Sequence, residues 1–154
     1  MSHTAEINTT LKEREKTEPP EVAGTLGEPV VQQLSPDQLL VNYNWRTLND
    51  KNIYLHLVLQ KSPDSKVGVA HTNFDSEEVR GQGSALWRFA GSQLQAMSDQ
   101  GNFPIIHEVD THEFSRHLPM SDPRYHQVTE NQFRGVFEPT ARHREVKTYT
   151  AERL

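Results

Sequence analysis

Hydrophobic and polar positions alternate with a period of two in three successive stretches of the chain. Leu39, Val41, Tyr43 and Trp45 share one face of the first. Ile53, Leu55, Leu57 and Leu59 share one face of the second, with Tyr54, His56, Val58 and Gln60 on the other. This second stretch is the clearest strand, and its semi-apolar second face predicts a central position in a sheet. The third stretch runs from Lys66 to Phe74, with Val67 and Val69 opposite Ala70 and Phe74. Polar turns, Leu48 to Asn52 and Ser62-Pro63-Asp64-Ser65, separate the three, so they read as an antiparallel meander. The period then changes. Leu86, Phe89, Ala90, Gln93, Leu94 and Met97 recur at three- and four-residue spacing, which predicts an amphipathic helix over residues 83–98 lying on the sheet and stopped by Gly101. Phe103 to Asp110 returns to alternation, with Ile105, His107 and Val109 opposite Ile106 and Glu108. The predicted order is β-β-β-α-β, an α+β domain with a mixed, mostly antiparallel sheet and one main helix packed on it.

Outside this block the pattern weakens. Residues 1–33 are dominated by Thr, Glu, Lys and Pro, with Pro19, Pro20, Gly24, Gly27 and Pro29 as breakers, and are expected to form a disordered tail. Thr9 to Glu18 favours a transient helix with almost no apolar face. Ser35-Pro36-Asp37-Gln38 reads as a capped turn or a single helical turn opening the domain, which extends over 34–138. Thr111 is a candidate cap for a short helix through Leu118. Arg124 to Phe133 reads as helix or irregular chain, and Gly135 to Phe137 as a short strand. Residues 139–154 form a charged C-terminal segment with a candidate strand at Glu145 to Tyr149.

Composition narrows the class of function. The chain has 154 residues, enough for one domain, and only 34% are hydrophobic, in keeping with a tail. No apolar run approaches the roughly 20 residues that cross a bilayer. No charged region followed by an apolar stretch opens the sequence, so neither a secretory signal nor a membrane association is expected, and the cytoplasm is the expected compartment. With no cysteine, disulfides, thiolate metal sites and a cysteine nucleophile are excluded together. The formal net charge is −5, and Arg142-His143-Arg144 is diluted by Glu145, so nucleic acid is not an expected partner.

The chemistry-bearing feature is the turn Val79-Arg80-Gly81-Gln82-Gly83-Ser84-Ala85-Leu86 between a strand and the helix. Helix N-termini carry unpartnered N–H groups and a dipole that favours anions. Gly81 and Gly83 would let backbone amides converge on a pyrophosphate, Ser84 adds a hydroxyl, and Arg80 adds a positive charge. No Gly-Lys-Ser/Thr follows, so it is not a Walker A loop, and the third glycine of a dinucleotide fingerprint is absent. Structural glycines at a loop-to-helix junction are the alternative reading.

The segment from Lys66 to Met97, and more broadly Ile53 to Asp110, resembles the GNAT superfamily of N-acetyltransferases, which carries a strand, a Gln/Arg-x-x-Gly-x-Gly/Ala turn, a helix and a strand. Glu78-Val79-Arg80-Gly81-Gln82-Gly83 supplies both glycines, with Glu78 at the first motif position. The resemblance implies acetyl-CoA as co-substrate. It implies Thr72, Asn73 and Phe74 along the pantetheine arm, and Arg80, Gly81, Gln82, Gly83 and Ser84 at the phosphates. It further implies direct attack by an amine of a small molecule or a protein. Tyr125, ahead of Phe133 to Phe137, is a loose echo of the family's general acid. Glu108, Asp110 and His71 are candidate bases. The alternative function is a non-catalytic interaction module whose N-terminal tail docks on a protein partner. A third reading is a metal site drawn from His112 and His117 with Asp110 and Glu113. His107 and His112 lie five apart, one residue too many for the His-Glu-x-x-His zinc motif.

Overall fold

The computed structural model describes residues 21–77, 81–113 and 115–140. The candidate helix at Thr9 to Glu18 and the candidate strand at Glu145 to Tyr149 lie outside them, as do Glu78, Val79 and Arg80. The architecture is mixed α+β. The strands are β1 (Thr25–Leu26), β2 (Val30–Ser35), β3 (Gln38–Arg46), β4 (Asn52–Gln60), β5 (Gly68–Ser76), β6 (Ile105–Asp110), β7 (Tyr125–Thr129) and β8 (Gln132–Phe137). The helices are α1 (Gly83–Gly101), between β5 and β6, and the single turn α2 (His117–Met120), between β6 and β7. The eight strands form one sheet in the order β1-β3-β4-β5-β6-β8-β7, with β2 also paired to β3. Every pairing is antiparallel except that of β5 with β6. No helix among the described residues is long and apolar enough to cross a membrane.

The meander expected from the alternation is present as β3, β4 and β5, and its register places the periodic residues in one layer. Val41 faces Leu57, and Tyr43 faces Leu55, which faces Phe74. Ile53, Leu55 and Leu57 are fully buried against α1, whose Leu86, Ala90 and Leu94 form the matching stripe. Each such aliphatic side chain contributes about 1.5–3 kcal/mol by leaving water. Phe89 inserts edge-on between Tyr43 and Trp45, with ring centroids at 5.1 and 4.8 Å, so these aromatics are core. Tyr54 instead stacks on His56 on the other, helix-free face.

Three sequence expectations are corrected and a fourth is narrowed. Among the described residues pairing begins at Thr25, inside the stretch assigned to a tail. β1 and β2 are held by backbone bonds to β3, which need no apolar period, and Val22 reaches the core. Of the two readings of Ser35-Pro36-Asp37-Gln38, the capped turn stands and the helical turn does not: the segment closes the β2–β3 hairpin with Ser35 opposite Gln38, and Ser35 Oγ accepts the Asp37 N–H at 3.2 Å. Helix α1 runs through Gly101. The left-handed residue that ends it is Asn102, at φ 56°, whose N–H bonds back to Ser98 O. The region from Arg124 to Phe133 belongs to an antiparallel hairpin, β7 with β8, and among the described residues after Thr111 only His117–Met120 is helical.

Candidate functional site

The one parallel seam of the sheet is short. Gly68, Val69 and Ala70 of β5 pair with Ile105, Ile106 and His107 of β6. Beyond these three pairs both strands continue, β5 to Ser76 and β6 to Asp110, without further ladder pairs between them. The sheet is therefore split from Ala70 and His107 onward, and the split opens toward the end of β5 that leads into α1.

Thr72 and His107 flank the base of the split. Strand periodicity puts both on the α1 side, because Ala70 and Ile105 are core residues two positions earlier. Thr72 Oγ1 lies 2.8 Å from His107 Nε2, and His107 Nδ1 lies 2.6 Å from the Tyr125 hydroxyl. Tyr125 arrives from β7, two strands away, over Gly135. The register aligns His107 with Gly135 and Gly135 with Tyr125. A Cβ on Gly135 would stand 2.4 Å from Tyr125 Cε2, so the missing side chain is what lets the ring cross β8 and reach the imidazole. His107 is fully buried. Burial, and then the positive charge of His71 and Arg124, lowers its pKa to about 3, so it is neutral at ordinary pH. Burial likewise raises the Tyr125 hydroxyl above its usual range.

Trp87 of α1 covers this chain, its ring centroid 4.9 Å from that of Tyr125. The indole N–H donates to Asp122 Oδ2 at 3.1 Å, and Asp122 accepts two further bonds from the Arg124 guanidinium, at 3.0 and 2.8 Å. Burial pushes the Asp122 carboxyl up, but the bonds from Arg124 and Trp87 outweigh it and hold the carboxyl below the usual range. Arg124 also lies over the Phe137 ring at 4.4 Å. On the outer side of Trp87 is a cleft of about 500 Å³, lined by Ser84, Trp87 and Arg88 of α1 and by His117, Asp122 and Arg124 opposite.

The start of α1 opens onto the same cleft through Ser84. Gly81, at φ +78°, turns the chain into the helix, a conformation L side chains rarely adopt. Gln82 occupies the cap position without capping. Its side-chain oxygen accepts the Ala23 N–H at 2.9 Å instead, tying the N-terminal segment to α1. No acidic residue lies in the first turn, and Gly83 and Ser84 are exposed. The first amides of the helix thus have no intrahelical acceptor.

The structure sorts the sequence-derived candidates. Gly81, Gly83 and Ser84 form the helix start. Thr72 and Tyr125 meet at His107. Phe74 packs against the core, whereas Asn73 is exposed on the helix-free face. Glu108 is on that opposite face too, with its Oε2 3.6 Å from His71 Nε2, so Glu108 and Tyr125 do not come together. Arg80 lies outside the described residues. Among the described residues no group of three His, Cys, Asp or Glu side chains could hold a metal ion. His107 itself was legible only as a member of the apolar face Ile105–His107–Val109; that alternation is the signal that a histidine sits in the core. Comparison with protein-family models, with curated proteins and with solved structures finds no match to the chain.

Proposed function

We propose that this domain binds a CoA thioester and transfers its acyl group to an amine. The observation that carries the reading is the split between β5 and β6 beside an uncapped, glycine-flanked helix start. The amides at Gly83 and Ser84 suit a pyrophosphate. The cleft, at about 500 Å³, is within the usual range for small-molecule sites and leads from that helix start to Trp87. A gap between strands is open to both faces of a sheet. A thioester entering from the α1 side would meet an amine arriving on the helix-free face, where Glu108 and His71 stand together. Glu108 would accept the amine proton, and the Tyr125 side of the gap would supply the proton donor for the departing sulfur. The resemblance of residues 78–86 to the N-acetyltransferase turn supports the same reading.

The test is thermal unfolding with acetyl-CoA. Ligand at about 100 times Kd adds about 2.7 kcal/mol to stability, a shift of several degrees that grows with concentration. Gly83→Asp should abolish the response without harming the free protein. A Cβ there meets only Leu118 Cδ1, at an ordinary 3.7 Å, and a carboxylate in the first turn suits the helix dipole. A flat melting curve up to millimolar ligand would refute the proposal, and an undiminished response in Gly83→Asp would refute the assigned turn.

A second reading, an interaction module without chemistry, is favoured by the placement of Glu108 and Tyr125 on opposite faces. The same titration separates the two readings, since a scaffold gives no acetyl-CoA response.

A further inference from the structure

We infer that Thr72, His107 and Tyr125 form a directed hydrogen-bond chain whose outward end, the Thr72 hydroxyl, is the donor that receives the sulfur of a CoA thiolate in the gap between β5 and β6. The inference rests on the CoA reading above and assigns the leaving-group contact to Thr72, with His107 and Tyr125 as positioning residues behind it.

The direction of the chain follows from counting protons. A neutral imidazole has one N–H and one bare nitrogen, and each hydroxyl has one proton to donate. If Nδ1 carried the hydrogen, it would donate to Tyr125, and the phenolic proton would then need another acceptor. Tyr125 has none among the described residues. Its neighbours there are the rings of Trp87 and Phe137. In the other arrangement the Tyr125 O–H donates to Nδ1, over the shorter of the two contacts, and Nε2–H donates to Thr72 Oγ1. Every buried polar atom is then satisfied, in keeping with the absence of unsatisfied buried side-chain atoms among the described residues. One proton is left over, that of Thr72, on the β5 residue where the seam has already parted. Its oxygen is polarised from behind by two donors in series, which strengthens it as a donor. A chain that ends in a free O–H beside a gap suits an acceptor that gains negative charge, as sulfur does when a thioester is cleaved.

The charged groups around His107 do not disturb this arrangement. His71 and Arg124 oppose its protonation, and Asp122, which favours it, is already bound to Arg124 and Trp87.

The experiment uses the full chain with free CoA, following thiolate formation by ultraviolet absorbance as pH is raised, and nitrogen-15 NMR of His107. The pKa of the bound thiol should be lower in the native protein and in Thr72→Ser than in Thr72→Val by about one to two units, the value of a hydrogen bond to a charged acceptor. Tyr125→Phe, which keeps the ring, should give a smaller rise. NMR should show a bare Nδ1 and a protonated Nε2. The inference is overturned, and the CoA reading kept, if CoA binds but Thr72→Val leaves the thiol pKa unchanged, or if the tautomer is reversed. Failure of every variant to bind CoA overturns both.

Discussion

Gly135→Ala adds one methyl group at the point where β8 is crossed by the Tyr125 ring. The new Cβ would lie 2.4 Å from Tyr125 Cε2 and 2.6 Å from two neighbouring ring carbons. The ring cannot tilt away freely, because the inclined Trp87 ring packs against one side and His107 holds the hydroxyl. Overpacking of this kind costs about 1–3 kcal/mol. Displacing the ring also strips the buried Nδ1 of its partner, for about another 1–3 kcal/mol. Against this stands the intrinsic gain of alanine over glycine in a strand, about 0.5–1 kcal/mol. The net expectation is a loss of about 1–5 kcal/mol, a large part of the stability of a small domain. Urea unfolding at neutral pH measures it, as a lower midpoint at unchanged slope. A second background isolates the contact with the ring. In Tyr125→Ala there is no ring to strike, so Gly135→Ala should become neutral or stabilising by about 0.5–1 kcal/mol. An equal loss in both backgrounds would show that Gly135 serves the strand rather than the tyrosine.

Two further outcomes follow from the same network. The unfolded chain protonates His107 below about 6.5, whereas the folded chain does not until about 3. This residue therefore removes stability as pH falls through that window, by about 1.4 kcal/mol per pH unit, and has no effect above it. Between pH 6 and pH 5 the urea midpoint of the native protein should fall more steeply than that of His107→Gln; parallel curves would show that His107 is not held neutral. Asp122→Asn keeps an acceptor for the Trp87 indole but loses the charged partner of Arg124, and should cost about 1–2 kcal/mol in urea unfolding. Asp122→Ala, which also releases Trp87, should cost more and move the tryptophan emission, and the idea that Asp122 anchors the indole fails if the two variants behave alike.

The elements that were legible in the sequence are those whose own side chains report their surroundings. Ile53, Leu55 and Leu57 alternate because one face of β4 is buried, and Leu86, Ala90 and Leu94 repeat because one stripe of α1 is. β2 was not legible because Val30, Val31 and Leu34 are exposed, and an edge held by main-chain bonds leaves no periodic trace. The β7–β8 hairpin was obscured by its own packing. Gly135 stands where the alternation of Phe133 and Phe137 calls for an apolar side chain, and the volume it omits is filled by Tyr125 from the next strand. The helix start could be read from Gly81 and Gly83, since their need is local. The Thr72–His107–Tyr125 chain could not, since its members are brought together only by the register of four strands.

The three-pair seam between β5 and β6 has a consequence for how the chain assembles. The meander and the β7–β8 hairpin join segments close in sequence, so their loops close at little entropic cost. The seam must instead bring Gly68 to Ile105 across the whole of α1, with only three rungs to reward it. The seam thus closes the longest loop of the sheet for three rungs, and α1, packed across both halves, is the splint that keeps a sheet of two pieces behaving as one.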